Sequence, residues 1–219
     1  MAMIACQSVC ALAPQKRDGV IFSGNTSYGK RIALTFDDGP HPSKTKKILD
    51  ILDKYDVKAT FFIIGSNAEY YPDIVAQEVA RGHEVANHSY SHTNLSKCTA
   101  EQIKREIELA DRAIEKASGV KPRLFRPPEG AYSENSVKIA RELGKNTIIW
   151  TVDTMDWANR TADDIIKNIK SNVRSGSIIL FHDFTSPKAH TIEALETIIP
   201  YLKSQGFEFV TVSDFLPIS

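Results

Sequence analysis

The chain has 219 residues, 42% of them hydrophobic and 25% charged, and 27 lysine and arginine residues balance 27 aspartate and glutamate residues. This length suits one α/β domain that buries enough surface to fold without a structural metal or a disulfide framework. The balanced charge argues against a nucleic-acid partner, since such domains carry a basic excess or a basic stripe. We therefore expect a substrate that is neutral or only locally charged.

Residues 1–29 are predicted to form a lead-in to a single folded domain of residues 30–219. Residues 3–13 are apolar and end in Ala-Leu-Ala before Pro14, which fits the tail of a signal peptide or of a membrane anchor. This stretch has no Lys or Arg before it and is too short to cross a bilayer. No other run approaches that length, so we expect no membrane span within the chain.

The cysteine content argues against a disulfide framework. The chain contains three cysteines, Cys6, Cys10 and Cys98. The spacing of the first two suits the geometry of a disulfide poorly if they lie on a helix. We therefore expect free thiols. We also expect the protein to be a monomer.

From residue 31 onward, short apolar runs alternate with longer amphipathic patterns. The predicted strands are residues 31–36, 59–64, 83–86, 124–125, 147–152, 177–181 and 208–211. The predicted helices are residues 44–55, 72–81, 100–118, 133–143, 162–173 and 192–205. The candidate N-caps are Ser43, Thr99 and Thr161. This alternation predicts a parallel α/β sheet, either doubly wound or closed into a barrel.

Five of the predicted strands are followed by ionisable or metal-binding residues. These residues are Asp37 and Asp38, His88 after Asn87, Arg126, Asp153, and His182 with Asp183. In both candidate folds the carboxyl ends of the strands share one rim, where catalytic groups collect. Folding alone explains this pattern poorly, so the sequence predicts a reaction centre at that rim.

The first candidate motif is Thr-Phe-Asp-Asp-Gly-Pro, which contains Asp37 and Asp38. On its own, this sequence is also ordinary turn material. The functional alternative is that the two carboxylates leave the strand in different directions. One of them could then ligate a metal while the other serves as a general base.

The second candidate motif supplies two imidazoles, His88 and His92, four residues apart. A single histidine is more often a surface or core residue, but this spacing on a helix or tight turn places both rings on one face. With one carboxylate they make a His₂-Asp site with open positions, which is the catalytic type. Zn²⁺ is the first choice, and Co²⁺, Ni²⁺ or Fe²⁺ also suit these ligands. Such an ion lowers the pKa of bound water toward about 7 and polarises a carbonyl group.

Three further segments each allow a structural or a functional interpretation. His182 ends a buried strand, as either a core histidine or a general acid for the leaving group. Arg126 is followed by two prolines that restrict the backbone. It either belongs to a surface loop or pairs bidentately with the carboxylate that serves as general base. Residues 153–157 are either a turn with a packed Trp157 or a functional segment. In the functional case, the segment supplies a carboxylate that holds His182 and an indole ring that packs against a sugar.

Taken in order, these motifs resemble those of the polysaccharide deacetylases of carbohydrate esterase family 4, the NodB-homology family, over residues 30–216. The five matching segments are residues 35–39, 88–92, 126–130, 153–157 and 180–182. The resemblance implies a distorted (β/α)7-type barrel rather than a doubly wound sheet, with residues 30–219 as the catalytic domain. It also favours an extracellular or cell-envelope location.

The resemblance further implies roles for individual residues. The implied catalytic residues are Asp37 as base with Arg126 as its partner, and His182 as acid with Asp156 as its partner. The implied metal ligands are Asp38, His88 and His92. The implied substrate-binding residues are Pro128, Glu129, Gly130, Trp157 and Leu180. Of these, Leu180 and Trp157 would line the pocket for the acetyl methyl group, and a backbone N–H near Glu129 would hold the oxyanion.

One position departs from the family pattern. The third motif commonly reads Arg-Pro-Pro-Tyr-Gly, whereas this chain has Glu129 in place of the tyrosine. The backbone N–H is kept, but an aromatic surface is lost and a negative charge is added. We expect this change to alter substrate preference rather than to abolish the chemistry.

The expected activity is hydrolysis of acetyl groups from a polysaccharide. We rank peptidoglycan ahead of chitin as its source of N-acetylglucosamine units, and both ahead of O-acetylated xylan, by analogy. One alternative is a catalytically inactive glycan-binding module, which the presence of both Asp37 and His182 argues against. Another is a metallohydrolase acting on a different ester, such as a phosphodiester, for which the carboxylates are too few to build a two-metal cluster.

Overall fold

The computed structural model describes residues 16–17, 19–184, 186 and 188–216. Within these residues there are ten strands: β1 (Lys16–Arg17), β2 (Val20–Ile21), β3 (Arg31–Asp37), β4 (Thr60–Ile63), β5 (Glu84–Asn87), β6 (Leu124–Phe125), β7 (Asn146–Ile148), β8 (Val152–Asp153), β9 (Ile178–His182) and β10 (Glu208–Phe209). The same residues form seven α-helices: α1 (Lys44–Lys54), α2 (Gly65–Tyr70), α3 (Pro72–Ala80), α4 (Ala100–Ser118), α5 (Glu134–Glu142), α6 (Ala162–Asn172) and α7 (Thr191–Ser204).

The strands form one curled sheet in the order β1-β2-β7-β6-β5-β4-β3-β9-β8, with β10 pairing beside β3. Only the pairing of β1 with β2 is antiparallel among the described strands. The architecture is a distorted α/β barrel in a single domain, as the family resemblance implies. The predicted doubly wound alternative is therefore excluded.

One predicted strand, residues 147–152, is wrong as a single element. Its first half is β7, which pairs with β6 and β2, and its second half is β8, which pairs with β9. Between the two halves, the Ile149 N–H donates to the Ile21 carbonyl and the Thr151 N–H donates to the Ile178 carbonyl. A bridge between Ser23 and Ser177 spans the same gap. One straight strand cannot pair with both β2 and β9, which lie on the two sides of the closing sheet. The predicted strand is therefore interrupted where the barrel closes.

The helices agree with the predicted ones to within a residue or two, except for α2, which the sequence did not predict. Its six residues begin with Gly65 and lack an apolar period. Thr99 and Thr161 form capping boxes at α4 and α6. The Ser43 side chain makes no capping hydrogen bond, while the Ser43 N–H and the first amide of α1, at Lys44, both donate to Nδ1 of His41.

Strand β3 shows how the barrel separates its core from its mouth. Ile32, Leu34 and Phe36 pack with the helices on one face of the sheet. Ala33 belongs to the smaller cluster inside the barrel. Because side chains alternate along a strand, Asp37 points to the same inner face as Ala33 and ends that row at the mouth.

The described residues bear on three expectations: the free thiols, the N-terminal lead-in and the absence of a membrane span. Residues 3–13, Cys6 and Cys10 lie outside the described residues, whereas Cys98 is a half-buried free thiol. Part of the predicted lead-in belongs to the barrel, since β2 pairs with β7. In the part of the chain that the structure describes, every helix is too short or too polar to cross a membrane.

Candidate active site

The carboxyl ends of the central strands surround a cleft at the mouth of the barrel. Asp37 on β3 is the register partner of His182 on β9. Asn87 on β5 pairs with the last residue of β6, so His88 and Arg126 leave the sheet side by side. The cleft has a volume of about 460 Å³. The described residues that line it are Asp37, Asp38, His88, His92, Glu129, Trp150, Asp153, Trp157, Leu180, His182, Phe184 and Ser186.

The backbone at Asp38 brings two consecutive carboxylates to one cleft. In a regular strand they would point to opposite faces of the sheet. Asp38 instead has φ 75°, a left-handed conformation that non-glycine residues rarely adopt. Its carbonyl oxygen accepts a hydrogen bond of 2.8 Å from the Asn67 side chain on α2. The helix that the sequence missed therefore supports this turn.

Arg126 is fully buried beneath Asp37. Its Nη1 donates to Asp37 Oδ1 at 2.6 Å and to Thr35 Oγ1 at 2.9 Å. The guanidinium carbon lies 3.9 Å from the centre of the Phe62 ring, within the range of a cation–π contact. The expected bidentate pair is not formed, because Nη1 alone reaches Asp37 and Nη2 has no described hydrogen-bond partner. Asp37 Oδ2 is therefore not tied to Arg126.

Residues 88–92 form an irregular turn rather than a helix. Ser89 and His92 both have positive φ, at 63° and 58°. The Ser89 N–H donates to Asn87 Oδ1, and the His92 N–H donates to Ser89 Oγ. The Glu106 carboxylate on α4 accepts hydrogen bonds from the backbone amides of Tyr90 and Ser91, at 3.0 and 2.8 Å. Glu106 was missed from sequence because its role depends on how α4 packs against this turn.

The three predicted metal ligands come together. One potential ligand atom from each of Asp38, His88 and His92 lies within 4.8 Å of the other two. Asp38 Oδ1 is 3.1 Å from His92 Nε2 and 3.4 Å from His88 Nε2. Burial raises the pKa of Asp38, but the two imidazoles outweigh it and hold that pKa well below its usual range. The carboxylate is therefore charged and available as a ligand.

The hydrogen bonds of His88 test whether a cation fits among these residues. His88 Nδ1 lies 2.8 Å from the Arg126 carbonyl oxygen, which can only accept, so Nδ1 carries the proton. In the neutral ring, Nε2 then presents a lone pair to Asp38 Oδ1, a buried atom with no hydrogen-bond partner among the described residues. His88 Nε2 and Asp38 Oδ1 are then two acceptors that face each other, and a cation bound between them would interact favourably with both. The donor set therefore fits a divalent metal.

His182 is held by the fully buried carboxylate of Asp156. Asp156 Oδ1 lies 2.8 Å from His182 Nδ1, and Oδ2 accepts from the His182 backbone N–H and from the Thr191 hydroxyl. Burial alone would lower the pKa of His182, but the Asp156 hydrogen bond and charge raise it to about 9. The imidazole is therefore protonated at neutral pH and keeps Nε2 for another partner.

The walls of the cleft combine predicted and unexpected residues. Trp157 lines it with 54% of its surface exposed, and Leu180 lines it from a buried position. Pro128 and Gly130 do not line it, although both were predicted to bind substrate. Gly130 is instead packed so closely under Trp150 that an added Cβ would lie 2.7 Å from the indole.

Four lining residues were not assigned to the substrate from sequence. They are Trp150, Asp153, Phe184 and Ser186. Asp153 and Phe184 lie at or just beyond the carboxyl ends of β8 and β9, where the strand-end rule would have pointed. Trp150 lies in the break between β7 and β8, which no sequence pattern indicated.

A family model described as polysaccharide deacetylase matches residues 24–148. The chain belongs to the polysaccharide deacetylase family. Over 202 residues, the chain is 42% identical to a peptidoglycan-N-acetylglucosamine deacetylase of Bacillus cereus, a match that covers 90% of this chain and 72% of that protein. The resemblance read from the five motifs is therefore confirmed.

Solved structures agree with this membership. A peptidoglycan N-acetylglucosamine deacetylase, crystallised with 4-naphthalen-1-yl-N-oxidanyl-benzamide, superposes with a TM-score of 0.87 at 40% identity, over 92% of this chain and 94% of that one. A CE4-family pseudoenzyme from Bacillus anthracis superposes with a TM-score of 0.85 at 34% identity, over 94% of this chain and 70% of that one. The similar structures therefore include both a protein named as a deacetylase and a protein named as a pseudoenzyme.

Proposed function

We propose that this polysaccharide deacetylase hydrolyses N-acetyl groups from N-acetylglucosamine-type units, with peptidoglycan ahead of chitin as the source. The observation that carries the proposal is the position of Asp37 and His182, which are register partners on neighbouring strands and line the same cleft as Asp38, His88 and His92. The peptidoglycan deacetylases among the relatives support the choice of substrate. A substrate of this kind would place the enzyme outside the cell or at the cell envelope, with residues 30–219 and the paired strand β2 as its catalytic domain.

The ligand set Asp38, His88 and His92 would hold one divalent ion, with Zn²⁺ as the first choice and Co²⁺ or Ni²⁺ as alternatives. When bound, such an ion lowers the pKa of water and polarises the acetyl carbonyl group. His88 is suited to this task because its Nδ1–H is fixed by the Arg126 carbonyl oxygen, which leaves Nε2 free.

In this mechanism Asp37 is the general base. Its Oδ1 is occupied by Arg126, and its Oδ2 lies 3.7 Å from His88 Nε2, on the side of the proposed metal ligands. Oδ2 can therefore take a proton from the attacking water. Arg126, which also donates to the Thr35 hydroxyl, fixes the rotamer of Asp37 that makes this possible.

His182 is the general acid. Its Nδ1–H is engaged by Asp156, so Nε2–H is the group left to protonate the departing amine as the C–N bond breaks. The raised pKa of about 9 keeps this proton in place at neutral pH. Leu180 and Trp157 would contact the acetyl methyl group from the wall of the same cleft.

The backbone N–H of Glu129 is the proposed donor to the oxyanion. The turn Pro128–Gly130 uses the amides of Gly130 and Ala131 for its own hydrogen bonds. Among the described residues, none accepts a hydrogen bond from the Glu129 N–H. A free amide at the edge of the cleft is the type of group that stabilises a tetrahedral oxyanion.

The test is acetate release by the purified protein with Zn²⁺ or Co²⁺. The substrates are N-acetylglucosamine oligomers, peptidoglycan and acetylxylan, and the variant is Asp37→Asn. The matched control is Asp163→Asn, an exposed acid on α6 outside the cleft. We expect release from the N-acetylated substrates that the first variant loses and the control keeps. Undiminished release by Asp37→Asn would overturn the assignment of the base.

The second candidate is an inactive glycan-binding protein, which the Bacillus anthracis pseudoenzyme makes a concrete alternative. It predicts glycan binding by calorimetry without acetate release under any of the metals. The pairing of Asp37 with His182 favours the enzyme, because binding alone requires neither a base nor an acid.

A further inference from the structure

Glu129 occupies a strained position at the rim of the cleft. It is exposed and has φ 59° inside the turn Pro128–Gly130. A left-handed conformation is unfavourable for a non-glycine residue, so it persists only where the surrounding structure enforces it. Here the turn is packed against Trp150 through Gly130. Glu129 Oε2 accepts a hydrogen bond of 2.8 Å from the Asn94 side chain, which orients the carboxylate.

Neither lysine nor arginine balances the charge of Glu129 among the described residues of the cleft wall. Its hydrogen-bond donor, Asn94, is neutral. Lysine and arginine are absent from the described residues that line the cleft. The nearby Lys44 ammonium donates to the Ser186 carbonyl, on the part of the rim that follows β9. Asp153 adds a second carboxylate to the lining. Besides the protonated His182, the cleft lining therefore carries two carboxylates, Glu129 and Asp153, that no described lysine or arginine of the lining offsets.

We propose that Glu129 selects the glycan by charge. The cleft favours chains in which a unit beside the reacting N-acetyl group carries a free amino group, that is, partially N-deacetylated glucosamine oligomers. This inference rests on the proposed deacetylase function and specifies which chains that function acts on best. The ammonium of a neighbouring unit would pair with the Glu129 carboxylate at the exposed rim.

The expected effect is modest because Glu129 is exposed to solvent. An exposed ion pair changes affinity by about two- to fivefold, and salt screens it. Removing the charge while keeping the shape isolates this contribution. Glu129→Gln does so, since the glutamine side chain retains an oxygen that can accept from Asn94.

The experiment measures binding of the zinc-loaded protein to two oligomers that it cannot deacetylate. One is the glucosamine tetramer, at a pH below the pKa of its amino groups, and the other is cellotetraose, which has the same linkage and no charge. Calorimetry compares the wild type, Glu129→Gln and the control Glu134→Gln, an exposed acid on α5 that does not line the cleft. The readout is the ratio of the two dissociation constants at low and at high salt.

We expect the preference for the glucosamine tetramer to fall by about two- to fivefold in Glu129→Gln, and the difference from wild type to vanish at high salt. Glu134→Gln should keep the wild-type ratio. A ratio that is equal in the wild type and Glu129→Gln would overturn the inference. Acetate release from the N-acetylglucosamine tetramer is measured in parallel. Its absence would count against the proposed function, whereas the binding ratio alone decides the role of Glu129.

Discussion

Asp37 and His182 are direct register partners across the parallel strands β3 and β9. Two residues so paired stand at the same level of the barrel, and both end their strands at the mouth. Each is held from behind by a buried group of opposite charge, Arg126 for Asp37 and Asp156 for His182. The sheet register thus fixes the separation between the proposed base and the proposed acid, and the buried partners fix their orientations.

Replacing Asp156 tests how His182 is controlled. Asp156→Asn removes the charge that raises the pKa of His182 to about 9, so that pKa should fall. The alkaline limb of the profile of kcat/KM against pH should move to lower pH, with a loss in kcat of about a hundredfold or more. The measurement is that pH profile on an N-acetylglucosamine oligomer. A reduced rate with an unmoved alkaline limb would contradict this account.

Replacing Arg126 tests the buried ion pair. Arg126→Met leaves the Asp37 carboxylate buried without its cation, and breaking such a pair costs about 3–5 kcal/mol of unfolding free energy. The double variant with Asp37→Asn removes the unpaired charge and should recover part of this loss. Denaturant unfolding of both single variants and the double variant gives the coupling energy. Strictly additive losses would show that the two groups do not stabilise each other.

Removing the metal ligands tests the proposed centre without an activity assay. A ligand that binds only the folded protein stabilises it, by about 2.7 kcal/mol at a concentration of one hundred times Kd. Zn²⁺ should therefore raise the unfolding temperature of the wild type and a chelator should reverse the rise. His92→Ala should lose the response, whereas the control His190→Ala, a half-exposed histidine outside the cleft, should keep it. An equal response in both variants would place the ion elsewhere.

Glu78 on α3 offers a test of stability away from the cleft. It is fully buried, both carboxylate oxygens lack a described hydrogen-bond partner, and burial raises its pKa well above 4.5. Above that pH the unfolded chain releases the proton that the folded protein retains, so Glu78 destabilises the fold increasingly as pH rises. Glu78→Met should therefore be more stable than the wild type.

The gain from Glu78→Met should grow by up to about 1.4 kcal/mol per pH unit until the folded-state pKa is reached. Unfolding free energies measured between weakly acidic and weakly alkaline pH check this slope. The exposed acid Glu115 provides the control substitution, Glu115→Gln, for which no such slope is expected. A difference between Glu78→Met and wild type that does not change with pH would contradict the prediction.

Strand ends were the part of the site that sequence could predict. Asp37, His88, Arg126 and His182 each follow an apolar run, and parallel strands bring such positions to one rim whatever the exact curvature. The same rule brings the metal-ligand cluster to this rim. The left-handed backbone at Asp38, which turns its carboxylate into the cleft, became visible only in the structure. The local pattern was sufficient because each of these four groups is the last residue of its strand or the first residue after it.

Features that depend on curvature or on a neighbouring side chain were not predictable. The break between β7 and β8 arises where the sheet closes, and that break brings Trp150 to the cleft. Arg126 contacts Asp37 through one nitrogen, which also donates to the Thr35 hydroxyl. Glu106 supports the turn at His88–His92 from α4, and the amides it accepts from lie 16 and 15 residues before it in the chain. None of these relationships leaves a periodic signal.

The pairing of β2 with β7 has a practical consequence for truncated forms of this protein. Val20 and Ile21 lie beside Thr147 and Ile148, and the Ile21 carbonyl accepts from the Ile149 N–H. A fragment that starts at residue 30 would expose β7 as a naked edge, and such edges recruit strands from other molecules. Self-association of that fragment would be the outward sign that the seam of the barrel had been opened.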